Sequence, residues 1–316
     1  MRRISPPSAS MTDLPRNLGL SSTVMRKLGH GAMRAARHDL VEGLAFTDEG
    51  VGPAVLVLHG GFGGIDQGAI LAEAALPPDR AFRRIIVARP GYFASALAGR
   101  ETPVAQADAY AALLRRLGIT ACLVVAISAG GPSALQFGLR HPDLCRGLVL
   151  ISACAGPLPV PEAALKRLKR FKLFARLPGL AALGRWALRR NPRRAAARGI
   201  SDPDLCAATL ADPVAGPLLA RLQRSVMTAI PQRLPGTLND IAACQGFTLP
   251  AALPLTAPLL LLHGTADPIV PVDQARALAD RLPQARFVPL TGAEHMALFS
   301  HLHPIRQTVA AFLDAL

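Results

Sequence analysis

The sequence predicts an α/β protein: a mostly parallel, twisted sheet flanked by helices, with a helical block inserted late in the chain. Three observations carry this. The runs Ala54–Leu58, Ala121–Ile127, Gly147–Ile151 and Pro258–Leu262 are almost wholly apolar, the pattern of strands buried on both faces rather than wetted on one. Between the early runs, apolar groups recur at helical spacing, and strand–helix–strand at this cadence implies parallel strands joined by right-handed crossovers. From 155 to 250 the cadence breaks into a stretch rich in Pro, Arg and Ala with no strand of comparable quality.

In chain order, residues 1–15 are Pro/Ser-rich and expected to be mobile. Leu18, Leu20, Val24, Met25, Leu28 and Met33 fit an irregular helix over 17–37, with Arg26, Lys27, Arg34 and Arg37 on its polar side. This arm, 1–40, either packs on the body or lies on an anionic surface. Val41–Thr47 alternates and reads as a strand, with a turn at Asp48-Glu49-Gly50. Ala54–Leu58 leads into the glycine-rich loop His59–Gly64 and a helix over Ile65–Ala75. Arg84–Ala88 is a third strand, followed by Arg89-Pro90-Gly91-Tyr92. Pro103–Leu117 is an amphipathic helix closed by Gly118. After the strand ending at Ile127, a helix carries Pro132 in its first turn and stops at His141-Pro142. The body resumes after the insertion, and Phe287–Leu290 forms a last strand whose Pro289 suits a sheet edge. The expected division is an arm (1–40), a core (41–154 with 251–316) and a helical cap (155–250).

Composition narrows the function. Hydrophobic residues at 51% and charged residues at 18% describe a globular chain of 316 residues with a large core. No stretch approaches the ~18 apolar residues of a membrane span. The two arginines at the start have no apolar block behind them, so no secretory signal is expected, and Met11 could equally be the first residue. Cys122, Cys145, Cys154, Cys206 and Cys244 are odd in number and lack metal-ligand spacing, which suggests small core residues in a reducing, cytoplasmic setting. The net charge of +14 is concentrated: residues 155–200 hold twelve Lys/Arg against Glu162 alone, and 1–40 hold seven against Asp13 and Asp39. The rest carries 16 Lys/Arg and 18 Asp/Glu. Aromatic residues at 4% and the lack of a reading motif argue against nucleic acid. The stretch from Lys166 to Arg190 alternates basic groups with Leu168, Phe171, Leu173, Phe174, Leu177, Leu180, Leu183 and Trp186. It reads either as a helix with a solvated polar face or as a peripheral contact with anionic membrane.

Chemistry gathers at the carboxyl ends of the strands, where ligands bind in such sheets. His59, Arg89, Ser128 and Ser152 all fall there. A strand that becomes a helix within three residues needs a sharp bend, and Ala126, Ala129, Gly130 and Gly131 are small enough to allow it. Ser128 at that bend either caps the helix or is a nucleophile with the Ala129 N–H beside it. The loop His59-Gly60-Gly61-Phe62-Gly63-Gly64 presents backbone donors, but it has neither Walker nor dinucleotide-binding spacing. Asp267, after a buried strand and before Pro268, is a turn former or a functional acid. His295 follows 28 residues later, behind a glycine turn.

These segments resemble the α/β-hydrolase superfamily. Ala126-Ile127-Ser128-Ala129-Gly130 resembles its G-x-S-x-G elbow with alanine for the first glycine, and His59–Gly63 its H-G-G-x-G loop. Arg89–Tyr92 is similar to its R-P-G-Y loop, and Gly264–Pro271 to its G-x-x-D-x-x-x-P acid segment. The resemblance implies a triad of Ser128, Asp267 and His295, with an oxyanion hole from the N–H groups of Ala129 and Gly61, Phe62 being the second choice. It implies a structural role for His59, and a substrate pocket bordered by Phe62 and Met296 under the cap. No metal or cofactor is implied. Serine at the bend disfavours the dehalogenase and epoxide-hydrolase activities of relatives that carry aspartate there. The implied activity is hydrolysis of a carboxylic ester of a hydrophobic small molecule or lipid. Alternatives are carbon–carbon bond hydrolysis of ring-cleavage products, for which Ser128-Ala129-Gly130-Gly131 matches an S-x-G-G pattern, and cofactor-free perhydrolase or haloperoxidase chemistry. A non-catalytic ligand-binding member of the fold is the alternative from another class.

Overall fold

A computed structural model describes residues 38–316 apart from 161, 164, 167, 169 and 171–178. The helix expected at 17–37 and most of the basic stretch between 166 and 178 therefore lie outside the described residues. Among those described, eight strands form one sheet: β1 (His38–Val41), β2 (Leu44–Glu49), β3 (Ala54–Leu58), β4 (Arg83–Val87), β5 (Cys122–Ile127), β6 (Cys145–Ile151), β7 (Leu259–Gly264) and β8 (Ala285–Leu290). Their spatial order is β1-β2-β4-β3-β5-β6-β7-β8. All pairings from β4 to β8 are parallel, while β1 and β2 run antiparallel to their neighbours.

Side chains alternate across a strand, so each apolar run feeds two cores. Leu56, Leu58, Val124 and Leu148 pack on one face in a cluster with Tyr110, Leu113, Leu135 and Phe137. Those residues belong to α2 (Pro103–Arg116) and α3 (Gly131–Arg140). Val55, Val57, Val125, Val149, Leu260 and Leu262 pack on the other face with Ile70, Leu71, Ile305 and Val309. These come from α1 (Ile65–Ala75) and α11 (Leu302–Asp314). Pro289 is indeed on an edge strand, β8.

The single strand expected at Val41–Thr47 is corrected. The chain turns back at Glu42 and Gly43, whose φ angles of 52° and 70° suit a two-residue hairpin loop, and Val41 pairs with Leu44. Glutamate at a positive φ gives no strong turn signal, so the alternation on either side reads as continuous.

Between β6 and β7 the described chain is helical: α4 (Leu180–Arg190), α5 (Pro192–Ala196), α6 (Pro203–Ala211), α7 (Ala215–Val226) and α8 (Ile230–Gln245). After β7 come α9 (Val272–Asp280) and α10 (Ala297–Ser300). No single described helix is long and apolar enough to cross a membrane.

Helix α8 is attached to the loop that follows β4 by an internal break. Pro235 has no N–H to give to the ladder, and next to it the Gly236 N–H donates outward to Gly91 O at 2.8 Å. The Gln232 carbonyl accepts from Phe93 N–H at 3.0 Å instead. A Cβ on Gly236 would lie 2.2 Å from the Tyr92 ring, so only glycine admits that ring. Gly236→Ala should therefore destabilise the fold by about 1–3 kcal/mol, the usual cost of overpacking. A urea unfolding curve measures this; an unchanged midpoint would show that the ring has room to move.

Candidate active site

Strand β5 is hemmed in by β3 and β6, so the chain leaving it has little space. Ile127 is extended, and Ser128 follows with φ 54°, a left-handed conformation that costs an L-residue about 1–2 kcal/mol. Two glycines make the bend sterically feasible. A Cβ on Gly130 would lie 2.8 Å from Leu58 O, and one on Gly131 would lie 2.4 Å from Cys154 O. A 3-10 turn over Ser128–Gly130 then leads into α3, and the Ala129 N–H lies in the first turn, where donors have no partner within the helix. The Ser128 carbonyl accepts from Cys154 N–H at 3.0 Å, tying the elbow to the end of β6.

Asp267 and His295 arrive from β7 and β8. Their loops are laced together: Thr265 N–H donates to Leu290 O and Ala266 N–H to Ala293 O, each at 3.0 Å. The two oxygens of Asp267 divide the roles that the sequence leaves open. Oδ1 accepts from the N–H groups of Ile269 and Val270 at 2.9 and 3.0 Å, shaping the turn. Oδ2 faces His295 Nδ1 at 2.8 Å, and His295 Nε2 lies 3.0 Å from Ser128 Oγ. With a carboxylate on one side, Nδ1 is the protonated nitrogen, which leaves Nε2 free to accept from the serine hydroxyl. The Asp267 side chain has no exposed surface and His295 is 9% exposed.

Sequence reasoning missed His263 at the end of β7. Its Nε2 donates to Val270 O at 2.9 Å and lies 3.4 Å from Asp267 Oδ2. The available signal was a polar ring closing a run of four leucines.

The glycine-rich loop lies beside the elbow: a Cβ on Gly60 would be 3.1 Å from Ser128 Cβ and 3.6 Å from its Oγ. His59 is buried and structural. Its Nδ1 donates to Gly60 O at 2.8 Å and its Nε2 accepts from Arg89 N–H at 3.0 Å. Burial, together with the nearby Arg89 charge, pushes its pKa well below the ordinary value, consistent with a neutral ring. The two loop candidates for the oxyanion differ. Phe62 N–H donates to Thr237 Oγ1 at 3.1 Å, whereas the Gly61 N–H has no partner among the described residues. Phe62 and Met296 are both half-buried beside the inserted helices, Phe62 near Thr237 of α8 and Met296 against Gly199. Ser152, the other strand-end serine, repeats the Ile-Ser-Ala context and a positive φ of 44°, but it is fully buried and its hydroxyl has no partner among the described residues.

Arg89 is 1% exposed. Its guanidinium pairs with both Asp240 oxygens, one at 2.9 Å, and also donates to His59 O at 2.7 Å and Gly60 O at 3.3 Å. Asp240 additionally accepts from Tyr92 Oη at 2.5 Å. The sequence flagged Arg89 but not its partner, since a lone carboxylate in a helical insertion carries no mark of its destination. Among the described residues no cluster of His, Cys, Asp and Glu is placed to hold a metal ion.

The Asp267 carboxyl is held well below the usual range: burial opposes its ionisation, and hydrogen bonds to His263 and His295 outweigh the burial. Since the folded pKa lies below that of an unfolded chain, about 3.9, its stabilisation is present above that value and lost as pH falls toward the folded one. Unfolding free energy should drop as pH is lowered below about 4, and Asp267→Asn should flatten part of that slope. Urea titrations at successive pH values read both; equal slopes would refute the assignment.

Residues 53–302 match the family described as alpha/beta hydrolase fold. Over 208 residues the chain is 31% identical to a Pseudomonas savastanoi pv. phaseolicola protein provisionally named carbamate hydrolase RutD, covering 64% of this chain and 71% of that one. It is 25% identical over 297 residues to the 2-hydroxy-6-oxo-6-phenylhexa-2,4-dienoate hydrolase of Burkholderia cepacia, covering 84% and 90%. A solved alpha/beta hydrolase fold protein from Nakamurella multipartita superposes with a TM-score of 0.70 at 29% identity, covering 85% of this chain and 94% of that one. With strand order, elbow and family match in agreement, the chain belongs to the alpha/beta hydrolase fold family and is a hydrolase of it.

Proposed function

We propose that the protein is a serine hydrolase that cleaves a carboxylic ester of a hydrophobic small molecule through an acyl-enzyme. The unbroken line from Asp267 Oδ2 through His295 to Ser128 Oγ, 2.8 and 3.0 Å, carries the reading. His295 Nε2 takes the hydroxyl proton as Ser128 Oγ attacks the carbonyl carbon, and Asp267 stabilises the imidazolium. The Ala129 and Gly61 N–H groups hold the oxyanion, each worth roughly 3 kcal/mol. As the intermediate collapses, the alcohol leaves with the proton from His295. Water, deprotonated by the same nitrogen, then attacks the acyl carbon and restores Ser128. The inserted helices serve as the cap over this site, with Phe62 and Met296 bordering the acyl or alcohol pocket.

A second reading is hydrolysis of a carbon–carbon bond in a ring-cleavage product. It is favoured by the likeness to the dienoate hydrolase along most of both chains and by Ser128-Ala129-Gly130-Gly131. The likeness to the RutD protein adds carbamates to the substrates worth testing. Leu183 and Trp186, 60% and 52% exposed on α4, support including anionic vesicles in the assay.

A panel of p-nitrophenyl esters from acetate to palmitate, with and without anionic vesicles, tests the proposal. Ser128→Ala should abolish turnover, and Asp267→Asn should lower kcat by about 10⁴-fold. A chain-length optimum would then size the pocket. Turnover retained in folded Ser128→Ala would refute the nucleophile, and inactivity of the wild type on every ester would redirect the search to vinylogous diketones.

A further inference from the structure

Helix α8 presents Arg233, Thr237 and Asp240 at i, i+4 and i+7, a single face, and all three bear on the glycine-rich loop. Arg233 donates to Phe62 O at 3.1 Å and Gly63 O at 2.6 Å, and it is held in place by Asp66. Thr237 Oγ1 donates to Arg233 O at 2.9 Å and accepts from Phe62 N–H at 3.1 Å. Asp240 acts through Arg89, which holds the carbonyls of His59 and Gly60. From 59 to 63, therefore, every residue but Gly61 has a backbone group fixed by this helix, directly or through Arg89. Phe62 is held in a left-handed conformation, φ 53°, which an L-residue keeps only when its surroundings impose it.

We propose that Thr237 is a positioning residue for the oxyanion site: by engaging the Phe62 N–H it makes Gly61 the loop's donor and fixes that donor beside Ser128. This rests on the serine-hydrolase reading above. Without the acceptor, the Gly61–Phe62 peptide has lost its anchor, and the adjoining Gly60–Gly61 peptide, which carries the donor, is then held only at its carbonyl, by His59 Nδ1 and Arg89, and can tilt about that end. Glycine imposes no conformation of its own there. Electrostatic stabilisation of an oxyanion depends on donors already in place when charge develops, so a tilting donor lowers the rate without altering the nucleophile, base or acid. Thr237 is not itself a catalytic residue, because its hydroxyl is engaged by the loop and by Arg233 O.

The test compares wild type with Thr237→Val, which keeps the shape and removes the acceptor, and Thr237→Ser, which keeps the acceptor. Thr237→Ala is a second removal in case valine disturbs the fold, and melting curves check all three. Two readouts are taken: the labelling rate of Ser128 by a fluorophosphonate probe as a function of pH, and hydrogen exchange of the Phe62 amide by NMR. In Thr237→Val, Phe62 should exchange at least about tenfold faster. Labelling should slow by about 10- to 100-fold, short of the loss of a whole donor. Its pH midpoint should stay in place, and Thr237→Ser should restore both readouts. Unchanged labelling in a folded Thr237→Val protein, or a Phe62 amide already unprotected in the wild type, overturns the positioning role alone. A wild type that never labels overturns the serine-hydrolase reading and the positioning role with it.

Discussion

The bend at Ser128 is the constraint on which the rest of the site depends. A strand buried on both faces cannot expose a side chain along its length, so the hydroxyl reaches solvent only where the chain leaves the sheet. Leaving there requires a left-handed residue followed by two glycines pressed against the ends of β3 and β6. Neighbouring strand ends thus set the position of the elbow, and the same sheet sets its partners. Asp267 and His295 issue from β7 and β8, and their loops are bonded to each other before either meets the serine.

Helix α8 lies against this arrangement and contributes polar groups where a sheet-only site would have none. The Arg89–Asp240 pair is almost fully buried, with its remaining hydrogen-bonding capacity met by Tyr92 and two loop carbonyls. Such pairs contribute little net stability compared with apolar packing, yet losing one partner leaves a stranded charge at a cost of about 3–5 kcal/mol. The pair therefore fixes which surfaces meet more than it strengthens their meeting. The opened turn at Pro235 and Gly236 works in the same direction, because the displaced Gly236 N–H and Gln232 carbonyl find their partners in the 91–93 loop.

What the sequence disclosed follows physical range. Strands β3, β5, β6 and β7 were legible because burial on both faces writes an uninterrupted apolar run, and α1 and α2 because their apolar groups recur at helical spacing. Ser128, Asp267 and His295 were legible because each lies at a strand end in a recognisable local pattern, and the structure places them in one hydrogen-bonded line. The hairpin at Glu42-Gly43 was hidden, since glutamate rarely marks a turn. Thr237, Asp240 and Arg233 were hidden for a different reason. Their contacts span about 150 to 175 residues of chain, and nothing local to α8 announces a partner so far away.

The contact of Gly236 with Tyr92 also bears on how such a protein can be rebuilt. Grafting in a 155–250 segment that carries a side chain at 236 and no carboxylate at 240 would leave Gly91, Tyr92 and Arg89 behind unmatched. The donor helix would then meet an aromatic ring where it carries a side chain, and a buried guanidinium with no carboxylate opposite. A workable chimera has to move residues 89–93 together with the helix that reads them. The natural unit of exchange in this molecule is thus a discontinuous pair of segments rather than the insertion between β6 and β7.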